Sequence, residues 1–499
     1  MEEKSTLSPS VAGVETAIPA FIGVTENGYN PEGLEPVAIS SLLDYQNIFG
    51  KGPSLTVSED GKLSGQEYTL FDSMRLFYDN GGAECYVVSI GSYDSAKPDA
   101  DKYKAAIDKL DEREDVTILL FPDAATLLND KDQLAAVQQY ALQKCADLKS
   151  RFAILDLLRQ DKLEDAMSDF RDGVNCAPEV LSYGAAYYPY LKTSYTKDIP
   201  FDEVMKAVPE PEDPEEHKVW EEAKALLTPP EESAPETVEE PALETVEEPA
   251  PETVEEPAPE TVEEPAAPAE EEPAPAKKDY TLELKKTAII PRVPGYAQTL
   301  AALQDQACII PPSGAIAGLF AATDRRVGVW QAPANVGVSS VKGLCQLLTD
   351  NQQDKMNDDP KTAKAINAIR YFKGKGNLVW GSRTLNAGSN EWRYVPVRRL
   401  FIYVEQSIKL STYWAVFQPN DTNTWTKIKC QISNFLNTLW RDGALAGATP
   451  EEAYFVEVGK GITMTQDDIN KGYLIVRIGL AAVRPAEFIV LEFSHKIQE

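Results

Sequence analysis

Few residues of this 499-residue chain have the type and spacing that catalysis requires. The sequence contains two histidines, His217 and His495, and neither sits in a recognisable motif. Ser313-Gly314 invites comparison with a hydrolase nucleophile, but a serine nucleophile needs a histidine within reach. No GxSxG, HExxH or GxxxxGK[ST] motif occurs. Nothing in their spacing favours an acid–base pair among the carboxylates Asp123, Asp156 and Asp324. We therefore predict a protein that is not an enzyme and that uses no cofactor and no metal.

The cysteines and the N-terminus indicate where the chain folds. The six cysteines are widely scattered and form no CxxC pair, so we expect reduced thiols, most of them buried. The first ten residues, MEEKSTLSPS, lack the basic and apolar regions of a signal peptide. No run approaches 18 apolar residues. These features predict synthesis and folding in the cytoplasm without membrane insertion.

Charge is concentrated in one segment. The formal net charge is −31, which disfavours nucleic-acid binding as the main role. Residues 231–276 hold 17 Glu and no Lys, Arg or Asp. An octapeptide, ETVEEPAx, begins there at Glu236, Glu244, Glu252 and Glu260. Its repeated Pro and Glu predict a disordered, surface-exposed tether of at most about 140 Å. A solvated spacer and a ligand for a basic partner both fit this composition.

The remaining segments alternate between strand and helix patterns. Apolar, strand-like segments are followed by helical ones, as in the helix over 69–82 that Asn80-Gly81-Gly82 terminates. A helix near the C-terminus has Ile428, Ile432, Phe435, Leu436 and Leu439 at helical spacing. This order predicts a mixed α/β fold of several domains.

One stretch of small residues indicates close packing of backbones. Residues 311–335 read PPSGAIAGLFAATDRRVGVWQAPAN, with glycine, alanine and serine beside an Arg pair and a Trp. The phrase resembles the signature of contractile tail sheath proteins, with Val327 near the position of the family's Arg. Further segments resemble the family in the same order, namely 71–91, 366–385, 397–421, 432–459 and 483–493. In the third of these, Gln418 stands where the family usually has Glu.

This resemblance implies a discontinuous sheath fold, built from an inner domain of both termini and inserted outer domains. Such proteins assemble as stacked hexameric rings in a helical tube around a separate inner tube, and they contract to drive that tube through a target envelope. Baseplate and cap proteins are the other implied partners. The sheath is expected to assemble in the cytoplasm. Whether it is then released as part of an extracellular particle is left open by the resemblance. Residues 1–40 are implied to form an arm and part of the inner domain, and residues 41–200 with 281–375 an outer domain in two parts. Residues 201–280 are the acidic insertion, and residues 376–499 form the inner C-terminal domain.

Both ends of the chain are apolar and extended, which suits strands exchanged between subunits. We assign Val11–Val24 and Glu487–Ile497 to this role; pairing of both strands inside their own subunit is the alternative. The residues singled out are Val11, Val14, Ile18, Phe21, Phe488, Val490 and Glu492.

Contact with the inner tube is expected to involve basic residues, because the chain is otherwise acidic. Internal salt bridges and solvated charges are the alternatives for these side chains. The candidates are Lys373, Lys375, Arg398, Arg399, Lys427 and Lys429. A non-contractile tail or surface protein with the same fold is the main alternative function, and a hydrolase is a second one.

Overall fold

The structure is a computed structural model that describes residues 10–30, 33–58, 60–227 and 280–487. The chain divides into two compact units, Met1–Ile199 with Ala302–Glu499, and Pro200–Ala301. The octapeptide repeats from Glu236 onward lie outside the described residues. No helix in the described ranges is long and apolar enough to cross a membrane.

The strands are short, and most belong to one sheet. In chain order they are β1 Pro19–Thr25, β2 Val37–Ile39, β3 Thr56–Val57, β4 Leu63–Ser64, β5 Cys85–Ser92, β6 Ile118–Leu120, β7 Phe152–Asp156, β8 Gly184–Tyr188, β9 Leu191–Thr193, β10 Ile309–Ile310, β11 Val336–Gly337, β12 Val341–Leu344, β13 Ile366–Phe372, β14 Gly376–Val379, β15 Tyr454–Val458 and β16 Val476–Leu480.

The helices cover this sheet and build the C-terminal region. They are α1 Leu42–Phe49, α2 Leu70–Asp79, α3 Ala100–Lys109, α4 Ala124–Leu127, α5 Lys131–Leu148, α6 Leu163–Gly173, α7 Pro178–Leu181, α8 Phe201–Ala207, α9 Pro214–Ala225, α10 Tyr280–Ile289, α11 Tyr296–Ala307, α12 Ser313–Arg326, α13 Asp350–Asn357, α14 Val395–Ser411, α15 Thr422–Arg441, α16 Pro450–Ala453 and α17 Gln466–Asn470. Three 3₁₀ turns lie at Leu110–Glu112, Ile290–Arg292 and Tyr413–Ala415.

The large sheet has nine strands in the order β11-β14-β13-β8-β7-β6-β1-β5-β2. Its six central strands, from β13 to β5, run parallel, and the strands at its two edges are antiparallel. Every residue of β1, β6, β7 and β8 is buried, as expected where helices cover both faces of a parallel sheet. The predicted α/β fold is confirmed. The helices and strands around this sheet share one hydrophobic core, the sheet core.

A second hydrophobic core lies in the C-terminal part of the same unit, and we call it the C-terminal core. It is formed mainly by α14, α15 and the two-stranded sheet of β15 and β16. The predicted apolar positions of α15 are all buried. Asp421 caps this helix by accepting a hydrogen bond from the backbone N–H of Thr424 (3.0 Å).

The smaller unit contains α8, α9, α10 and the first half of α11. The side chain of Lys286 is largely buried and pairs with Asp202 at 2.7 Å. The rings of Phe201 and Tyr296 stack with their centroids 5.6 Å apart. Helix α9 covers the sequence HKVWEEAKA and buries Trp220.

The nine-stranded sheet extends across two of the predicted domain boundaries. Residues 1–40 are predicted to belong to the arm and the inner domain, and they contain β1 and β2, which are bonded to β5 and β6 in this sheet. Strand β14, which begins at residue 376, belongs to the same sheet. The change of core occurs inside α14, because Val395 and Ile402 pack in the sheet core whereas Leu400 and Val404 pack in the C-terminal core.

The small-residue stretch at 311–335 forms α12, which packs against α2. A Cβ atom on Gly314 would overlap the carbonyl oxygen of Ser73, and one on Gly318 would overlap that of Phe77. Two helices can approach this closely only where one of them lacks side chains. The contact between α12 and α2 therefore explains why this stretch is rich in small residues, as predicted from the sequence.

We expect Gly318→Ala to lower the free energy of unfolding by about 1–3 kcal/mol, because the methyl group would push α12 away from α2. Gly337→Ala is the matched control, since its added Cβ would have its nearest neighbour at 3.9 Å. Urea unfolding of the two variants measures the difference. Equal stability of both would contradict the close packing described here.

Candidate functional site

Three elements from distant parts of the sequence meet at one buried ion pair, which we call the junction (Thr16, Asp324 and Arg399). The guanidinium group of Arg399, on α14, donates to both carboxylate oxygens of Asp324, on α12, at 3.0 and 2.6 Å. It also donates to the carbonyl oxygen of Thr16 (2.9 Å), whose hydroxyl donates to Asp324 (2.6 Å). The side chains of Arg399 and Asp324 are 3% and 6% exposed. The junction thus joins the N-terminal segment to the helices of both cores.

The N-terminal segment before β1, residues 10–18, lies along α14, and we call it the arm. The backbone N–H groups of Ala12 and Val14 donate to the hydroxyls of Ser411 and Ser407, each at 3.1 Å. These serines are four residues apart and so lie on one face of the helix. A Cβ on Gly13 would overlap the hydroxyl of Tyr403. The arm is therefore held closely against α14 until it leaves near the C-terminal end of that helix.

The last described residue, Glu487, is also fixed within the subunit. Its carboxylate accepts hydrogen bonds from the guanidinium group of Arg383 at 2.8, 3.1 and 2.8 Å, and from the hydroxyl of Tyr394 at 3.1 Å. Arg383 also donates to the carbonyl oxygen of Asn357 (2.9 Å). The end of the described chain is thus held by a largely buried cation.

The C-terminal core has an open side beside β16. Within the described residues, β15 and β16 pair only with each other. A cavity of about 830 Å³ adjoins β16, and we call it the apolar groove. Its apolar lining comes from α14, α15, β16 and the loop before α15, and includes Ile408, Ile428, Ile432, Val476, Ile478 and Leu480. A strand added at the edge of β16 would satisfy backbone hydrogen bonds, and its apolar side chains would fill this groove.

Two of the predicted linking residues lie in or beside a strand that is paired within its own subunit. Ile18 and Phe21 were assigned to a strand exchanged between subunits, but β1 already has β5 on one edge and β6 on the other. The backbone groups of Ile18 are bonded to Thr117 and Ile118, and Phe21 is fully buried in the sheet core. Val11 and Val14 lie in the arm. Phe488, Val490 and Glu492 lie outside the described residues.

Two of the predicted tube-contact residues, Arg398 and Arg399, are buried. Arg399 is buried in the junction. Arg398 is buried, donates to the hydroxyl of Ser182 (2.6 Å), and lies 3.4 Å from the ring centroid of Trp392. Burial removes both guanidinium groups from any partner. Lys373 and Lys375 are exposed at the β13–β14 turn, and Lys427 and Lys429 are exposed on α15.

The buried carboxylates at the ends of the central strands accept hydrogen bonds from backbone N–H groups at helix N-termini. Asp123, after β6, accepts from the N–H groups of Val24 (2.8 Å) and Thr69 (2.6 Å), the residue that precedes α2. Asp156, at the end of β7, accepts from the N–H of Ser313 at the start of α12 (3.0 Å). Burial raises the pKa of Asp123 to about 6 and that of Asp156 to about 7, although these hydrogen bonds act in the opposite direction. Each carboxylate holds a helix in place.

Sequence reasoning missed Ser407, Ser411 and Tyr403, which hold the arm. A signal was present, because two serines four residues apart on an amphipathic helix offer hydroxyl groups on one face. Which segment lies on that face is decided by the tertiary structure, since the arm and α14 are almost 400 residues apart.

The C-terminal part of the chain is similar to known proteins. Residues 388–496 match the phage tail sheath C-terminal domain. The tail sheath protein of Vibrio phage KVP40 is 28% identical over 130 residues, which cover 26% of this chain and 19% of that relative. The match therefore spans about a fifth of that relative's length.

Two solved structures resemble the whole chain. The baseplate of the anti-feeding prophage contains a chain with a TM-score of 0.61 and 28% identity, covering 100% of this chain and 98% of its own. The PVC sheath complex of an extracellular contractile injection system, in the contracted state, gives the same score and identity and covers 100% and 96%. The whole chain is therefore similar to proteins of contractile injection systems, and its C-terminal part matches the phage tail sheath C-terminal domain.

We expect Arg399→Met to destabilise the protein by about 3–5 kcal/mol, because Asp324 would keep a buried charge without its partner. Arg477→Met is the matched control, since Arg477 pairs with Glu457 at 3.5 Å on the surface, and we expect a loss of less than about 1 kcal/mol. Replacing both junction residues, with R399M and D324L, should recover part of the loss. Urea unfolding measures all three, and a small effect of R399M alone would contradict the role of the junction.

The raised pKa of Asp156 predicts a pH-dependent stability. The folded protein holds this proton up to about pH 7, whereas an unfolded aspartate loses it near 3.9. Stability from this group is therefore highest below about pH 4 and is lost as the pH rises to about 7. In D156N the fall in the urea midpoint between pH 5 and pH 8 should be smaller than in the wild type. The same fall in both proteins would contradict the prediction.

Proposed function

We propose that the protein is a structural subunit of a contractile sheath. Copies assemble as stacked hexameric rings around a separate inner tube, and contraction of the helical assembly drives that tube through a target envelope. The main support is the likeness of the whole chain to a sheath complex in its contracted state. Baseplate and cap proteins complete the particle, and its release from the cell is part of this proposal.

Subunits are linked by strands in this proposal. The C-terminal segment from Glu487 to Ile497 of one copy adds to the free edge of β16 in a neighbour, where its apolar side chains occupy the apolar groove. Val11 and Val14, in the arm beside α14, contact the same neighbour. Each backbone hydrogen bond contributes about 1 kcal/mol net, so a strand with several such bonds binds firmly while its connection to the parent domain stays flexible. Domains linked in this way can rotate as rigid bodies without separating.

The energy for contraction is stored in the assembled lattice, so the subunit itself performs no catalysis. The buried carboxylates Asp123 and Asp156 are each occupied by backbone donors at helix N-termini. Of the two histidines, His217 lies in the smaller unit beside Glu210 (2.9 Å). No group of three or more potential metal ligands occurs in the described ranges.

Contact with the inner tube is assigned to the lysines that remain exposed. Lys373, Lys375, Lys427 and Lys429 make no ion pair with any described residue, so their charges are free for an acidic surface. Ion pairs between these lysines and the tube would be exposed to water and therefore weak, which suits a tube that must be released. The acidic insertion is placed on the outer surface, because its like charges disfavour a position between packed subunits.

Electron microscopy of the purified protein, with and without the neighbouring tube protein, tests this function. Hollow cylinders with regular striations are expected for the wild type. Deletion of residues 488–499 should leave the chain folded but prevent cylinders, because β16 would stay unpaired. Deletion of the four octapeptides, residues 236–267, is the control and should preserve cylinders. Monomers of the wild type in both samples would refute the proposed function, and cylinders of the truncated chain would refute the strand linkage alone.

A further inference from the structure

We draw no further inference here: the strongest candidate, the cavity of about 430 Å³ between the arm, the start of β7 and the C-terminal half of α14, is lined by carboxylates and cations alike, among them Glu114, Arg151 and Lys409, and nothing in the structure shows what covers it.

Discussion

The bidentate pair of Arg399 and Asp324 is the constraint on which the arrangement of the chain depends. A buried carboxylate and a buried guanidinium are costly to remove from water, and they are tolerated only when each satisfies the other. Here the pair also fixes the carbonyl and the hydroxyl of Thr16, so the N-terminal segment can leave the sheet in one direction only. Because α14 contributes to both hydrophobic cores, this single contact fixes the arm, the sheet core and the C-terminal core relative to one another.

The same logic applies to both ends of the described chain. Ser407 and Ser411 hold the arm, and Arg383 holds Glu487, through contacts inside the subunit. The backbone edge of β16 and the apolar groove beside it are left without a partner among the described residues. A strand edge that no described residue fills suits repeated association with copies of the same chain, since every copy presents the same edge. The features of this subunit that point to function are therefore surfaces suited to contact with other copies.

Polar groups that suggest catalysis in the sequence have structural roles in the fold. Asp123 and Asp156 lie at the carboxyl ends of parallel strands, where active sites of α/β proteins are often found. Both are fully buried and satisfied by the N-termini of α2 and α12. The glycines of α12 likewise permit close contact with α2. Evidence for function comes instead from groups that have no partner among the described residues, such as the exposed lysines and the edge of β16.

The sequence by itself determined the local structure and the resemblance to sheath proteins. The positions of α15, the end of α2 at Asn80 and the alternation of strands and helices follow from periodicity and capping, which act over a few residues. Phrases such as SGAIAG and WQAPAN identified the sheath resemblance. Only the tertiary structure decided that β1 lies in the centre of the large sheet, that Arg398 and Arg399 are buried, and that the change of core occurs within α14. These facts depend on contacts between residues far apart in the sequence, from Ala20 and Tyr86 to Thr16 and Arg399. No local pattern specifies which distant partner satisfies a given charge or strand edge.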